Sequence, residues 1–105
     1  MSSVHTSTIL LIDDEATMHD LARAYLEKAG YRLISAFNGP SGLDLILEQK
    51  PDLILLDFMM PDKDGYTIFK EISTSDDYRH VRHIPVVMLT AYADQIANTI
   101  SSRWA

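Results

Sequence analysis

The chain has 105 residues, 47% of them hydrophobic, enough for one packed domain and too apolar for a disordered chain. Its formal charge of −6, from 15 acidic and 9 basic residues, disfavours nonspecific nucleic-acid binding, which needs cationic contacts to phosphates. The absence of cysteine excludes a disulfide framework and a thiolate metal site.

In chain order, Thr8 to Ile12 is a continuous β-prone run that ends in Asp13 and Asp14. Continuous apolar runs suit strands covered on both faces. Over 16–29 the apolar residues Met18, Leu21, Ala22, Tyr25, Leu26 and Ala29 recur at helical spacing, and Gly30 follows as a stop. Residues 31–37 read as a second strand, less uniformly apolar, as an edge strand would be.

Asn38-Gly39-Pro40 is turn chemistry, with Pro40 in the first turn of a helix that carries Leu43, Ile46 and Leu47 and is ended by Pro51. Residues 53–56 form a third, wholly apolar strand, which again runs into aspartate, Asp57. A loop over 61–65 leads to a third helix with Ile68, Phe69 and Ile72 on one side. Residues 73–83 are polar and read as a loop; 84–89 form a fourth strand ending at Thr90; 94–103 read as a fourth helix.

Strand–helix alternation predicts an α/β domain with a parallel sheet and helices on both faces. The working site of such a sheet lies beyond the carboxyl ends of its strands. Asp13, Asp14, Asp57 and Thr90 all stand there.

Three converging carboxylates repel unless a cation joins them, and hard oxygen donors suit Mg²⁺, which commonly binds a couple of carboxylates and a substrate phosphate. Asp57 then serves as a carboxylate nucleophile that forms an acyl phosphate, and the Thr90 hydroxyl donates to a phosphoryl oxygen. Each residue has a plainer reading: Asp14 as a helix cap, Asp57 as a turn residue, Thr90 as an ordinary strand end. The combination at independent strand ends favours the chemical one. The histidines, His5, His19, His80 and His83, read as solvated, and Met18, Met59, Met60 and Met88 as packing.

Three segments carry a family resemblance: I-L-L-I-D-D-E at 9–15, D-L-I-L-L-D-F-M-M-P-D-K-D-G at 52–65, and I-P-V-V-M-L-T-A at 84–91. Residues 30–31 and 36–42 match the second strand and its turn. The middle segment is the most specific, with proline four and glycine eight residues after Asp57. The chain resembles the receiver domain of bacterial response regulators.

That resemblance implies a flavodoxin-like, doubly wound sheet of order 2-1-3-4. It implies phosphorylation of Asp57 by a sensor histidine kinase or phosphotransfer protein. It implies Mg²⁺ bound by Asp13, Asp14, Asp57 and the backbone carbonyl of Met59, Thr90 as the switch hydroxyl, and Ala91 as a small residue that leaves the site open. Pro61 and Gly65 shape the loop after the acceptor, Gly65 through a permissive backbone.

The family's fifth strand and helix, with the lysine that contacts the phosphoryl group, have no counterpart here, so 1–105 is expected to be a truncated receiver. Slower transfer and an open fourth-strand edge follow, and with them a homodimer or domain-swapped oligomer. The expected function is a self-catalysed phosphoacceptor switch, not a turnover enzyme. The alternative is a phosphorylation-silent dimerisation or docking module.

An aspartate-nucleophile phosphohydrolase usually places a general acid two residues after the nucleophile, where Met59 stands. With no apolar run of membrane-spanning length and no basic leader, a cytoplasmic location without membrane or nucleic-acid contact is expected.

Overall fold

The computed structural model describes residues 6–58, 60 and 64–89. The elements follow in the order β1 (Thr8–Ile12), α1 (Ala16–Lys28), β2 (Arg32–Ala36), α2 (Gly39–Gln49), β3 (Leu53–Asp57), α3 (Gly65–Thr74), a 3₁₀ helix (Asp76–Val81) and β4 (Val86–Leu89). All strand pairs are parallel, and the order is β2-β1-β3-β4. The fold is the flavodoxin-like arrangement expected, with four strands among the described residues. The expected fourth helix lies outside them.

Alternation within β1 explains its unbroken apolar run. Leu10 and Ile12 face α2 and α3, in a core that also holds Leu43, Ile46, Ile54, Leu56, Ile68 and Ile72. Ile9 and Leu11 face the other way, where Met18, Ala22 and Leu26 of α1 pack on them. Leu21 and Tyr25, also counted as apolar positions of this helix, are instead exposed. β3 is less symmetrically covered: Ile54 and Leu56 are buried, whereas Leu53 and Leu55 on the α1 side are half-buried.

The helix ends follow local chemistry. α1 stops in a Schellman arrangement: Gly30, at φ 96°, donates to Glu27 O at 3.1 Å, and Tyr31 N–H donates to Leu26 O at 2.9 Å. α2 opens on Asn38, whose side chain accepts from Ser41 N–H at 2.8 Å. Lys50, at φ 45°, and Pro51 close it.

The expected loop over 73–83 is wrong in its middle. Ser73 and Thr74 finish α3, and Asp76–Val81 coil into a 3₁₀ helix. Residues three apart eclipse in that geometry, so Tyr78 and Val81 share one face and seal the core, both buried. Arg82 closes the neighbouring helix end, donating from Nε to Ile72 O at 3.2 Å and from Nη2 to Ser75 O at 2.9 Å. Among the described residues no helix is long and apolar enough to cross a membrane.

Candidate metal and phosphoacceptor site

Register brings the acidic residues together. Ile12 pairs with Leu56 across β1 and β3, so the next residues, Asp13 and Asp57, leave adjacent strand ends side by side. Asp57 pairs with Leu89 of β4, so β4 runs to the same rim. Asp13 is buried, Asp14 exposed and Asp57 half-buried, and one carboxylate oxygen from each lies within 4.8 Å of the other two. With a Mg–O distance of ~2.1 Å, adjacent corners of an octahedron stand about 3.0 Å apart and opposite corners about 4.2 Å, and three ligands can include at most one opposite pair, so oxygens as far apart as 4.8 Å close by up to about 1.8 Å, or accept a bridging water, to share one ion.

Asp13 is fixed from three directions. Its N–H donates to Ala36 O at 3.0 Å, its Oδ1 accepts from Glu15 N–H at 2.9 Å, and its carbonyl accepts from His19 Nε2 at 2.8 Å. The capping reading of Asp14 does not hold, because Glu15 occupies the N-cap position of α1 and makes no side-chain cap bond. The aspartate that helps the helix entry is Asp13, which leaves the exposed Asp14 carboxylate facing the cluster.

His19 corrects a second expectation. It is not solvated but 3% exposed, its ring lying 4.1 Å from that of Phe37 and both nitrogens hydrogen-bonded. The sequence carried a signal for it, since His19 follows Met18 and stands three residues before Ala22, on the inner side of α1. His80 and His83 are exposed, as expected.

The backbone that follows Asp57 is held as firmly. Phe58 N–H donates to Leu89 O at 2.9 Å, and Gly65 N–H donates to Phe58 O at 3.0 Å. A Cβ on Gly65 would press into the Asp57 carbonyl oxygen and stand 2.9 Å from Phe58 Cα. Glycine is therefore required by close approach, not by a permissive backbone; Gly30 is the glycine with positive φ among the described residues.

Asp64 caps α3, accepting from Thr67 N–H at 2.8 Å, and this bond holds its carboxyl below the usual carboxylate range. Met59, Pro61, Thr90, Ala91 and His5 lie outside the described residues.

The arrangement can hold a hard divalent cation beside a carboxylate at a strand end. Comparison with known proteins identifies the family. The family described as "Response regulator receiver domain" matches residues 9–102. A curated relative, "Probable transcriptional regulator ycf27" of Guillardia theta, is 36% identical over 86 residues, covering 82% of this chain. The matched stretch spans only 32% of that relative's own length.

The N-terminal domain of a response regulator receiver protein from Methanoculleus marisnigri superposes with a TM-score of 0.78 at 40% identity, over 90% of this chain and 76% of that one. A putative response regulator from Chloroflexus aurantiacus gives 0.77 at 29% identity, over 94% and 79%. With the family model matching residues 9–102, nearly the whole length, the chain belongs to the response regulator receiver domain family.

Proposed function

We propose that Asp57 accepts a phosphoryl group from a sensor histidine kinase or phosphotransfer protein, with Mg²⁺ held by Asp13, Asp14, Asp57 and the Met59 backbone carbonyl. One observation carries the reading: three carboxylate oxygens from two neighbouring strand ends lie within 4.8 Å of one another. The donors are hard oxygens in the number that Mg²⁺ takes from protein while keeping waters and a phosphate oxygen, so the residues fit the ion. When bound, Mg²⁺ offsets the negative charge gathered by the carboxylates and the incoming phosphoryl group.

The rest is done by the chain. An Asp57 carboxylate oxygen attacks phosphorus, an O–P bond forms as the donor's N–P bond breaks, and the departing imidazole takes up a proton. Asp13, fixed by its hydrogen bonds, and Asp14 keep their oxygens aimed at the same point. The Thr90 hydroxyl donates to a phosphoryl oxygen and couples the modification to nearby binding surfaces. The chain is modified in this reaction and does not turn over a separate substrate.

The test is intact-mass measurement after incubation with a small phosphodonor. We expect one phosphoryl mass increment with Mg²⁺, none with EDTA, and none in Asp57→Ala. No increment in the wild-type protein, or one that survives Asp57→Ala, overturns the reading and favours a phosphorylation-silent docking module.

Self-association through β4 belongs to the same proposal. Among the described residues β4 pairs on one side only, with β3, and Val86–Leu89 carries no charge to discourage a second strand.

A further inference from the structure

His19 lies outside the acidic cluster, yet it is the buried side chain that touches the cluster's backbone. Its Nε2 stands 2.8 Å from the Asp13 carbonyl oxygen, and its Nδ1 2.8 Å from Ser35 Oγ. A carbonyl only accepts, so Nε2 carries the proton. In the neutral ring Nδ1 then accepts, and the Ser35 hydroxyl donates to it.

Ser35 Oγ in turn accepts from Arg23 Nη2 at 3.3 Å, and Arg23 Nη1 bonds Glu27 Oε2 at 3.0 Å. The donors run in one direction, from Arg23 through Ser35 and His19 to Asp13, and each bond polarises the next. The ring of Phe37 lies against the imidazole and limits its rotation.

The carbonyl of Asp13 belongs to the peptide that joins the two acidic residues. Anchoring that oxygen fixes ψ of Asp13 and φ of Asp14, and so the direction in which the exposed Asp14 carboxylate leaves the chain. The Asp13 N–H is held by Ala36 and its Oδ1 by Glu15. The bond from His19 is the one that acts on the Asp13–Asp14 peptide itself; the other two restrain the residues on either side of it.

We infer that His19 is a positioning residue for the cation site: its Nε2–H holds the Asp13–Asp14 peptide so that both carboxylates meet one ion, and Ser35, donating to the other ring nitrogen, holds the ring in place. The inference rests on the Mg²⁺ reading above and adds to it a residue and a hydrogen-bond chain.

The test is Mg²⁺ titration by calorimetry on the folded wild-type chain, His19→Leu and His19→Gln, with a thermal melt for each. Removing such a supporting bond is expected to weaken Mg²⁺ binding by ~10-fold in His19→Leu, while His19→Gln, whose amide N–H reaches the Nε2 position, returns to within about threefold of wild type. If both variants lower the melting temperature but bind Mg²⁺ like wild type, His19 is merely structural and the inference falls.

Should His19→Leu not fold, Ser35→Ala and the ring's nitrogen NMR signals decide. We expect Nε2–H in the metal-free wild type and weaker Mg²⁺ binding in Ser35→Ala. A ring protonated at Nδ1 instead, or unchanged affinity in Ser35→Ala, overturns the inference. A wild-type chain that shows the Nε2–H tautomer but binds no Mg²⁺ removes the metal reading, and this inference with it; unchanged affinity in the variants removes the inference alone.

Discussion

Two glycines show how single atoms position the site. A Cβ on Gly65 meets backbone of Asp57 and Phe58, which β4 holds in place; a Cβ on Gly42 meets the Ile12 side chain, with Cγ1 at 2.8 Å. Alanine gains up to ~1 kcal/mol over glycine in a helix, while overpacking costs about 1–3 kcal/mol, so a clash at the upper end of that range outweighs the gain and one at the lower end about cancels it. Gly65→Ala is expected near the upper end of that cost, with weaker Mg²⁺ binding under the proposed function because the end of β3 must move. Gly42→Ala is expected near the lower end, because a side chain can yield where backbone cannot. Chemical denaturation with Mg²⁺ titration checks both, and equal effects would contradict the distinction.

Asp13, Asp14 and Asp57 were legible because each ends an apolar run. The roles of Gly65 and His19 were not. Close approach leaves no trace in spacing, and although the place of His19 on the inner side of α1 signals its burial, the partners that give it a role come only with the tertiary fold.

At the scale of elements, the strands and helices with clear periodicity were legible to within a residue or two, since capping and apolar spacing act locally. The 3₁₀ helix Asp76–Val81 was not, because a polar surround hid the i, i+3 pair Tyr78 and Val81, whose burial is tertiary.

α3 depends on a titratable cap. The Asp64 carboxylate accepts from Thr67 N–H, and its pKa lies below the ordinary 3.8. A carboxyl lowered in the folded state stabilises the fold above its unfolded pKa, and the contribution fades as pH falls through the folded one. Acid melts are therefore expected to lose this contribution below about pH 3.8, and Asp64→Asn, which caps without titrating, to flatten that part of the profile. An identical acid limb in the two proteins would contradict it.

For the whole molecule, helix layers on both faces of a parallel sheet were readable from strand–helix alternation. The unequal covering of β3 was not, because its apolar run looks the same whether one face or two are packed. The half-buried Leu53, Leu55 and Leu89 around α1 and the one-sided pairing of β4 leave apolar surface at one side of the described sheet. Sedimentation at micromolar concentration is expected to show a dimer. A monodisperse monomer with a cooperative melt would withdraw the pairing through β4 and leave the acidic site untouched.

Chemical trapping addresses the acceptor itself. An acyl phosphate is reduced by borohydride to an alcohol, which converts a phosphorylated aspartate to homoserine. After incubation with phosphodonor and Mg²⁺, reduction and peptide mass mapping are expected to find homoserine at Asp57 and at no other acidic residue. Homoserine at Asp13 or Asp14, or unmodified Asp57 beside a phosphorylated serine, threonine or histidine, would contradict the assignment of the acceptor.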